Sequence, residues 1–95
     1  MKSIELKEVD LDGNTLSYKK ELGQIIKTPS DPNSGASIEE MRGAIRVLDA
    51  LDNSEDTLEL EDADYKWLVT RMASARFGIV HPAIVQFVDD VTSAE

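Results

Sequence analysis

The sequence predicts an α+β domain in which an N-terminal β-hairpin packs against a small bundle of three to four helices. Three observations carry this. Apolar and polar residues alternate up to residue 18, the apolar period then lengthens to that of helices, and the helical segments are separated by glycine, proline and small polar residues. Ninety-five residues with 41% apolar and 31% charged content suit one domain, 1–95, able to bury a core without covalent staples.

In the hairpin, 3–18, Ile4 and Leu6, continued by Val9 or Leu11, alternate with polar neighbours. Asp12-Gly13-Asn14 tolerates the positive φ of a tight turn, and Thr15-Leu16-Ser17-Tyr18 resumes the extended pattern. A short helix, 18–27, follows because Tyr18, Leu22, Ile25 and Ile26 share a face, although Gly23 costs about 1 kcal/mol relative to Ala. Pro29, Pro32 and Gly35 among small polar residues make 28–36 a loop. The next helix, about 38–52, starts from a capping box, Ser37 with Glu40, and shows the stripe Ile38, Met41, Ala44, Ile45, Leu48, Leu51, expected to face inward. Glu39, Arg42, Arg46 and Asp49 form its solvated face.

Thr57-Leu58-Glu59-Leu60 alternates as a very short strand, and Asp62 offers an N-cap to a helix over about 62–77. That helix turns Tyr65, Leu68, Val69 and Met72 inward and ends toward Gly78 as its C-terminal cap. Pro82, preceded by His81, opens a last helix, about 82–92, with Ile84, Phe87, Val88 and Val91 as its stripe. Asp89, Asp90 and Glu95 oppose the dipole at its C-terminal end, so that end is expected to fray.

Charge is unevenly distributed. Asp49, Asp52, Glu55, Asp56, Glu59, Glu61, Asp62 and Asp64 fall in one stretch without Lys or Arg, while the remaining eleven acids face ten bases. Such crowding requires a solvated surface, a bound cation or a basic partner. The expected partner-binding residues are Asp52, Glu55, Asp56, Glu59, Glu61, Asp62, Asp64 and Trp67. Trp67 falls opposite the inward face with Thr70 and Ser74, where either the loop or hairpin covers it or it anchors a partner beside the carboxylates. A net charge of -9 disfavours direct contact with nucleic acid or an anionic membrane.

Chemistry is sparse. The absence of cysteine excludes a disulfide framework, a thiolate metal site and a thiol nucleophile, and is compatible with a reducing cytosol. The N-terminal residues lack an apolar signal core and no apolar run approaches the roughly 20 residues of a membrane span, so a cytoplasmic protein is expected. Asp10, Asp12 and Asn14, with Glu21 at the twelfth position, have calcium-loop spacing, but glycine stands at the fourth position rather than the sixth, which favours a hairpin turn. His81 is the sole imidazole and suits helix entry. Asp89 and Asp90 point about 100° apart on a helix, too divergent for paired acid and base work. With no phosphate-binding glycine loop either, neither an enzyme nor a cofactor is expected, and no catalytic or metal site is assigned.

From Ile38 through Val91, the succession Ile-Glu-Glu-Met-Arg, Val-Leu-Asp-Ala-Leu, Leu-Glu-Leu-Glu-Asp-Ala-Asp-Tyr and Pro-Ala-Ile-Val-Gln-Phe-Val-Asp-Asp resembles the small acidic proteins of tailed bacteriophages and prophages. The resemblance implies a role in virion assembly, of tail or head, or in binding a host protein, with a host-cytoplasmic or virion-associated location. The expected function is a non-enzymatic protein-protein interaction factor whose partner has a basic surface. Two alternatives stay open: an acidic nucleic-acid mimic that inhibits a host DNA- or RNA-binding or defence protein, and a calcium-binding structural domain. A mimic displays carboxylates in rows spaced like phosphates, whereas a protein binder sets aromatic or aliphatic anchors beside the charge.

Overall fold

The computed structural model describes residues 1–31 and 33–94. Among them, four strands and four helices run in the order β1 (Lys2–Glu5), β2 (Glu8–Leu11), β3 (Asn14–Ser17), α1 (Tyr18–Lys27), α2 (Ile38–Asp52), β4 (Thr57–Leu60), α3 (Asp62–Ala73) and α4 (Pro82–Thr92). The class is the α+β expected, but the hairpin is smaller than 3–18. β2 and β3 pair antiparallel around Asp12 and Gly13, whose positive φ angles, 49° and 104°, suit a two-residue turn that follows strand twist. β1 leaves the hairpin and pairs antiparallel with β4, Ile4 opposite Leu58. The chain turns at Leu6-Lys7, where the Leu6 amide donates to the Asp56 carbonyl at 2.8 Å and the Tyr18 amide to the Lys7 carbonyl at 2.9 Å. Pairing with β4 places Ile4 with Leu58 and Leu60 in the buried core, a long-range gain that no local turn signal announces.

The helices keep most of their expected bounds. In α1, Tyr18, Leu22, Ile25 and Ile26 are all buried. At α2 the Ser37 hydroxyl accepts from the Glu40 amide at 3.1 Å, but the Glu40 carboxylate turns to the Ser30 amide and hydroxyl instead of completing the box, tying the 28–36 loop to the helix. Pro32 of that loop and Glu95 lie outside the described residues. At the start of α3, Glu61 rather than Asp62 holds the N-cap position, with no side-chain hydrogen bond. That helix stops at Ala73, short of 77, with Ser74 rather than Gly78 at its end; the Ser74 hydroxyl donates to the Arg71 carbonyl at 3.1 Å and accepts from Arg71 Nη1 at 2.6 Å. The local hydroxyl satisfies a terminal carbonyl that another helical turn would have occupied.

The C-terminal end of α4 is held, not frayed, through Ala94. Tyr18 Oη donates to Asp90 Oδ2 at 2.6 Å, Gln86 Nε2 donates to Asp90 Oδ1 at 2.8 Å, and Tyr65 Oη donates to the Val91 carbonyl and accepts from the Ala94 amide. Burial first, and the neighbouring Asp90 carboxylate second, push the Tyr18 hydroxyl far above the ordinary phenol range. The Tyr18 hydrogen bond, helped by Gln86 and Lys7, holds the Asp90 carboxyl below the usual carboxylate range despite partial burial. Phe87 packs edge-on to Tyr18, ring centroids 4.8 Å apart, so this polar link sits over an aromatic contact.

The main correction concerns the orientation of α2. Gly43, Val47 and Leu51 are its buried residues, with Ala44 and Leu48 partly buried, whereas Ile38, Met41 and Ile45 of the expected inward stripe stand 63%, 46% and 51% exposed. Trp67 accounts for this. Its indole lies over Gly43, where a Cβ would fall 2.5 Å from Nε1, so the glycine lets α3 approach α2 and fixes which side faces inward. The Gly43 side carries less apolar bulk than the predicted stripe, but it is complementary in shape to the largest side chain available.

Candidate functional site

The acidic residues occupy four local settings. Asp52 ends α2, Glu55 and Asp56 lie in the turn to β4, Glu59 is on β4, and Glu61, Asp62 and Asp64 surround the start of α3. Lys19 Nζ donates to the Ser54 carbonyl at 2.7 Å and the Ser54 hydroxyl donates to the Ala50 carbonyl at 2.6 Å, so the turn is anchored to α1 and α2. Asp52, Glu55, Asp56 and Glu59 are exposed and have no ion-pair partner among the described residues. With no ion pair among the described residues, solvent screens their repulsion.

The rest of the predicted set separates from this group. Asp64 accepts a 3.0 Å hydrogen bond from Arg46 Nε and is only 22% exposed, so its charge is matched within the domain. Asp62 Oδ1 lies 3.5 Å from the Met1 amino nitrogen. Glu61 is exposed at the N-cap position. Trp67 is partly buried against α2 and belongs to the packing of the two helices, not to an exposed anchor. Strand pairing adds one acid instead: Ser3 faces Glu59 and Glu5 faces Thr57, all four exposed, so Glu5 joins Glu59 on the outer face of the ribbon.

Two features escaped the sequence reading. The first is the exposed aliphatic row of Ile38, Met41 and Ile45, one helical turn from Asp49. It borders a groove of about 330 Å³ whose lining includes Ile26, Pro29, Ala36, Ala44 and Leu48. Its i, i+3, i+7 spacing was legible, but not which side of α2 it would take. The second is Arg71, 5% exposed, whose Nη2 donates to the carbonyls of Ile25 at 2.8 Å and Thr28 at 2.5 Å. It satisfies terminal carbonyls of α1, while its Nε finds no acceptor among the described residues. Periodicity gives no warning of a buried cation, because arginine stems ordinarily carry the charge outward.

The other candidates resolve into structure. Asp12 sits in the hairpin turn with Oδ2 3.4 Å from His81 Nε2, Asp10 pairs with Thr15 across the hairpin, and Glu21 is on α1. Among the described residues, no three or more of His, Cys, Asp and Glu converge as a metal-binding group. His81 Nδ1 accepts from the Ala83 amide at 3.0 Å, the helix-entry role expected of it. A second exposed apolar set, Ile79, Val80 and Val85, lies around the start of α4. No helix among the described residues is long and apolar enough to cross a membrane. No family model, curated protein or solved structure matches the chain.

Proposed function

We propose that this protein is a non-enzymatic protein-protein interaction factor, with an acidic surface that guides a basic partner. The observation that carries the reading is the exposed set Asp52, Glu55, Asp56 and Glu59, which has no ion-pair partner among the described residues. Charge of one sign that nothing among the described residues neutralises steers a basic partner toward that surface. A nucleic-acid mimic is favoured less, because Arg42 and Arg46 stand beside the acids and Arg46 neutralises Asp64. The resemblance to small acidic phage proteins adds the setting: virion assembly or the binding of a host protein, in the host cytoplasm or on the particle.

The test reverses Glu55, Asp56 and Glu59 to Lys together and follows binding to a protein captured from the native host lysate. All three are exposed, so the melting temperature should hold within a few degrees. Association should slow by about tenfold at low salt and lose most of its salt dependence. Unchanged rate and affinity at low salt would refute the acidic surface as the recognition element.

A further inference from the structure

The charges around the α2 row are mixed, unlike those of the acidic segment, and their arrangement selects an occupant. Ile38, Met41, Ile45 and Leu48 recur at steps of three, four and three, the seam spacing of a helix that pairs with another helix. Flanking the seam on its exposed side are Arg42 and Asp49, both exposed and neither with an ion-pair partner among the described residues. Arg46, the other cation of this face, is already held by Asp64. A basic partner suited to the 52–59 carboxylates would meet Arg42 and Lys27 beside this row. Charge therefore disfavours a common occupant for the two surfaces.

A second copy of the chain meets no such conflict. An isologous contact requires a surface that complements itself under two-fold rotation. Arg42 and Asp49 lie two helical turns apart and nearly symmetric about Ile45. An antiparallel α2 from a second copy, centred there, places Arg42 of each copy against Asp49 of the other. The same placement brings Met41 of one copy toward Leu48 of the other and opposes the two helix dipoles favourably. The groove bordered by Ile26, Pro29 and Ala44 gives flexible methionine side chains room to seat. The same register sets Glu39 of each copy beside Asp52 of the other at the two exposed ends of the contact, where solvent screens their repulsion.

We infer that α2 is a self-association face: two copies pair antiparallel through Ile38, Met41, Ile45 and Leu48, with reciprocal Arg42–Asp49 ion pairs. The inference rests on the proposed function only in treating the domain as an interaction factor, and it assigns the α2 row to a second copy while leaving Glu55, Asp56 and Glu59 outward beyond both ends of the contact for a basic partner. A contact built on one helix per copy is small, so association is expected in the micromolar range.

Sedimentation equilibrium across about 10 to 1000 μM tests this range directly. The parent chain should pass from monomer to dimer, and Ile45→Glu should stay monomeric with an unchanged circular dichroism spectrum. Arg42→Asp should weaken the dimer by about tenfold, because each mutant face now opposes acid to acid. Adding Asp49→Arg to that variant should restore affinity to within about threefold, an outcome that a folding defect cannot mimic. A parent chain monomeric throughout, or an Ile45→Glu variant that dimerises as well as the parent, would overturn the inference. A monomeric parent whose capture of a foreign protein nevertheless fails in Ile45→Glu would overturn the second copy as occupant while leaving the proposed function standing.

Discussion

The two sides of α2 are both apolar, yet one is core and the other surface. On one side Gly43 admits the indole of Trp67 while Val47 and Leu51 join the core; on the other Ile38, Met41 and Ile45 extend past the α1 groove into solvent. The exposed side carries the larger side chains at those positions, so hydrophobic content did not decide the matter. Close approach decided it, because dispersion and water exclusion depend on fit, and a glycine facing an indole fits where an isoleucine would hold the helices apart.

The sharpest way to break this contrast is truncation on both sides. Leu51→Ala should cost about 2 to 5 kcal/mol in chemical denaturation through lost transfer energy and the cavity left behind. Ile45→Ser should stay within about 0.5 kcal/mol when measured on the monomer, as surface changes do. Equal losses would mean that the two sides are not distinguished by packing. Next in size is Gly43→Ala. Alanine at an exposed helical site would gain about 1 kcal/mol, but here its Cβ meets the rigid indole, and we expect a net loss of about 1 to 3 kcal/mol with a red-shifted Trp67 emission. A more stable Gly43→Ala protein would show that Trp67 does not fix the orientation of α2.

The smallest effect lies away from α2 and serves as its control. Asp90 has a folded-state pKa below its ordinary 3.8, so its contribution is present above that value and is lost as pH falls through the lower folded value. Tyr18 is shifted the opposite way, so its contribution is complete below its ordinary 10.0 and is lost only as pH rises toward the elevated folded value. Asp90→Asn should therefore flatten the acid limb of the stability profile without altering Trp67 emission. An acid limb as steep as that of the parent would show that the Tyr18–Asp90 bond contributes nothing to it.

Much of the fold was legible. Ser37 as the N-cap of α2, Pro82 after His81 and the Asp12-Gly13 turn are signals written within a few residues, and each stands where it was expected, although Glu40 does not close the capping box. The candidate site was legible only as composition. That Asp52, Glu55, Asp56 and Glu59 have no ion-pair partner among the described residues, that Asp64 is neutralised by a residue eighteen positions away, and that Glu5 joins the acidic face through β1–β4 pairing all depend on contacts distant in sequence.

The sequence by itself determined the α+β class, the starts of the helices, the hairpin turn and the presence of a concentrated acidic segment, because caps, turn residues and apolar periods act locally through backbone geometry. Only the tertiary structure decided which strand completes β1, which face of α2 is buried, that Arg71 caps α1 from within the core, and that Trp67 packs the two helices together. Those outcomes are choices among several locally acceptable arrangements, and steric fit across distant segments selects between them.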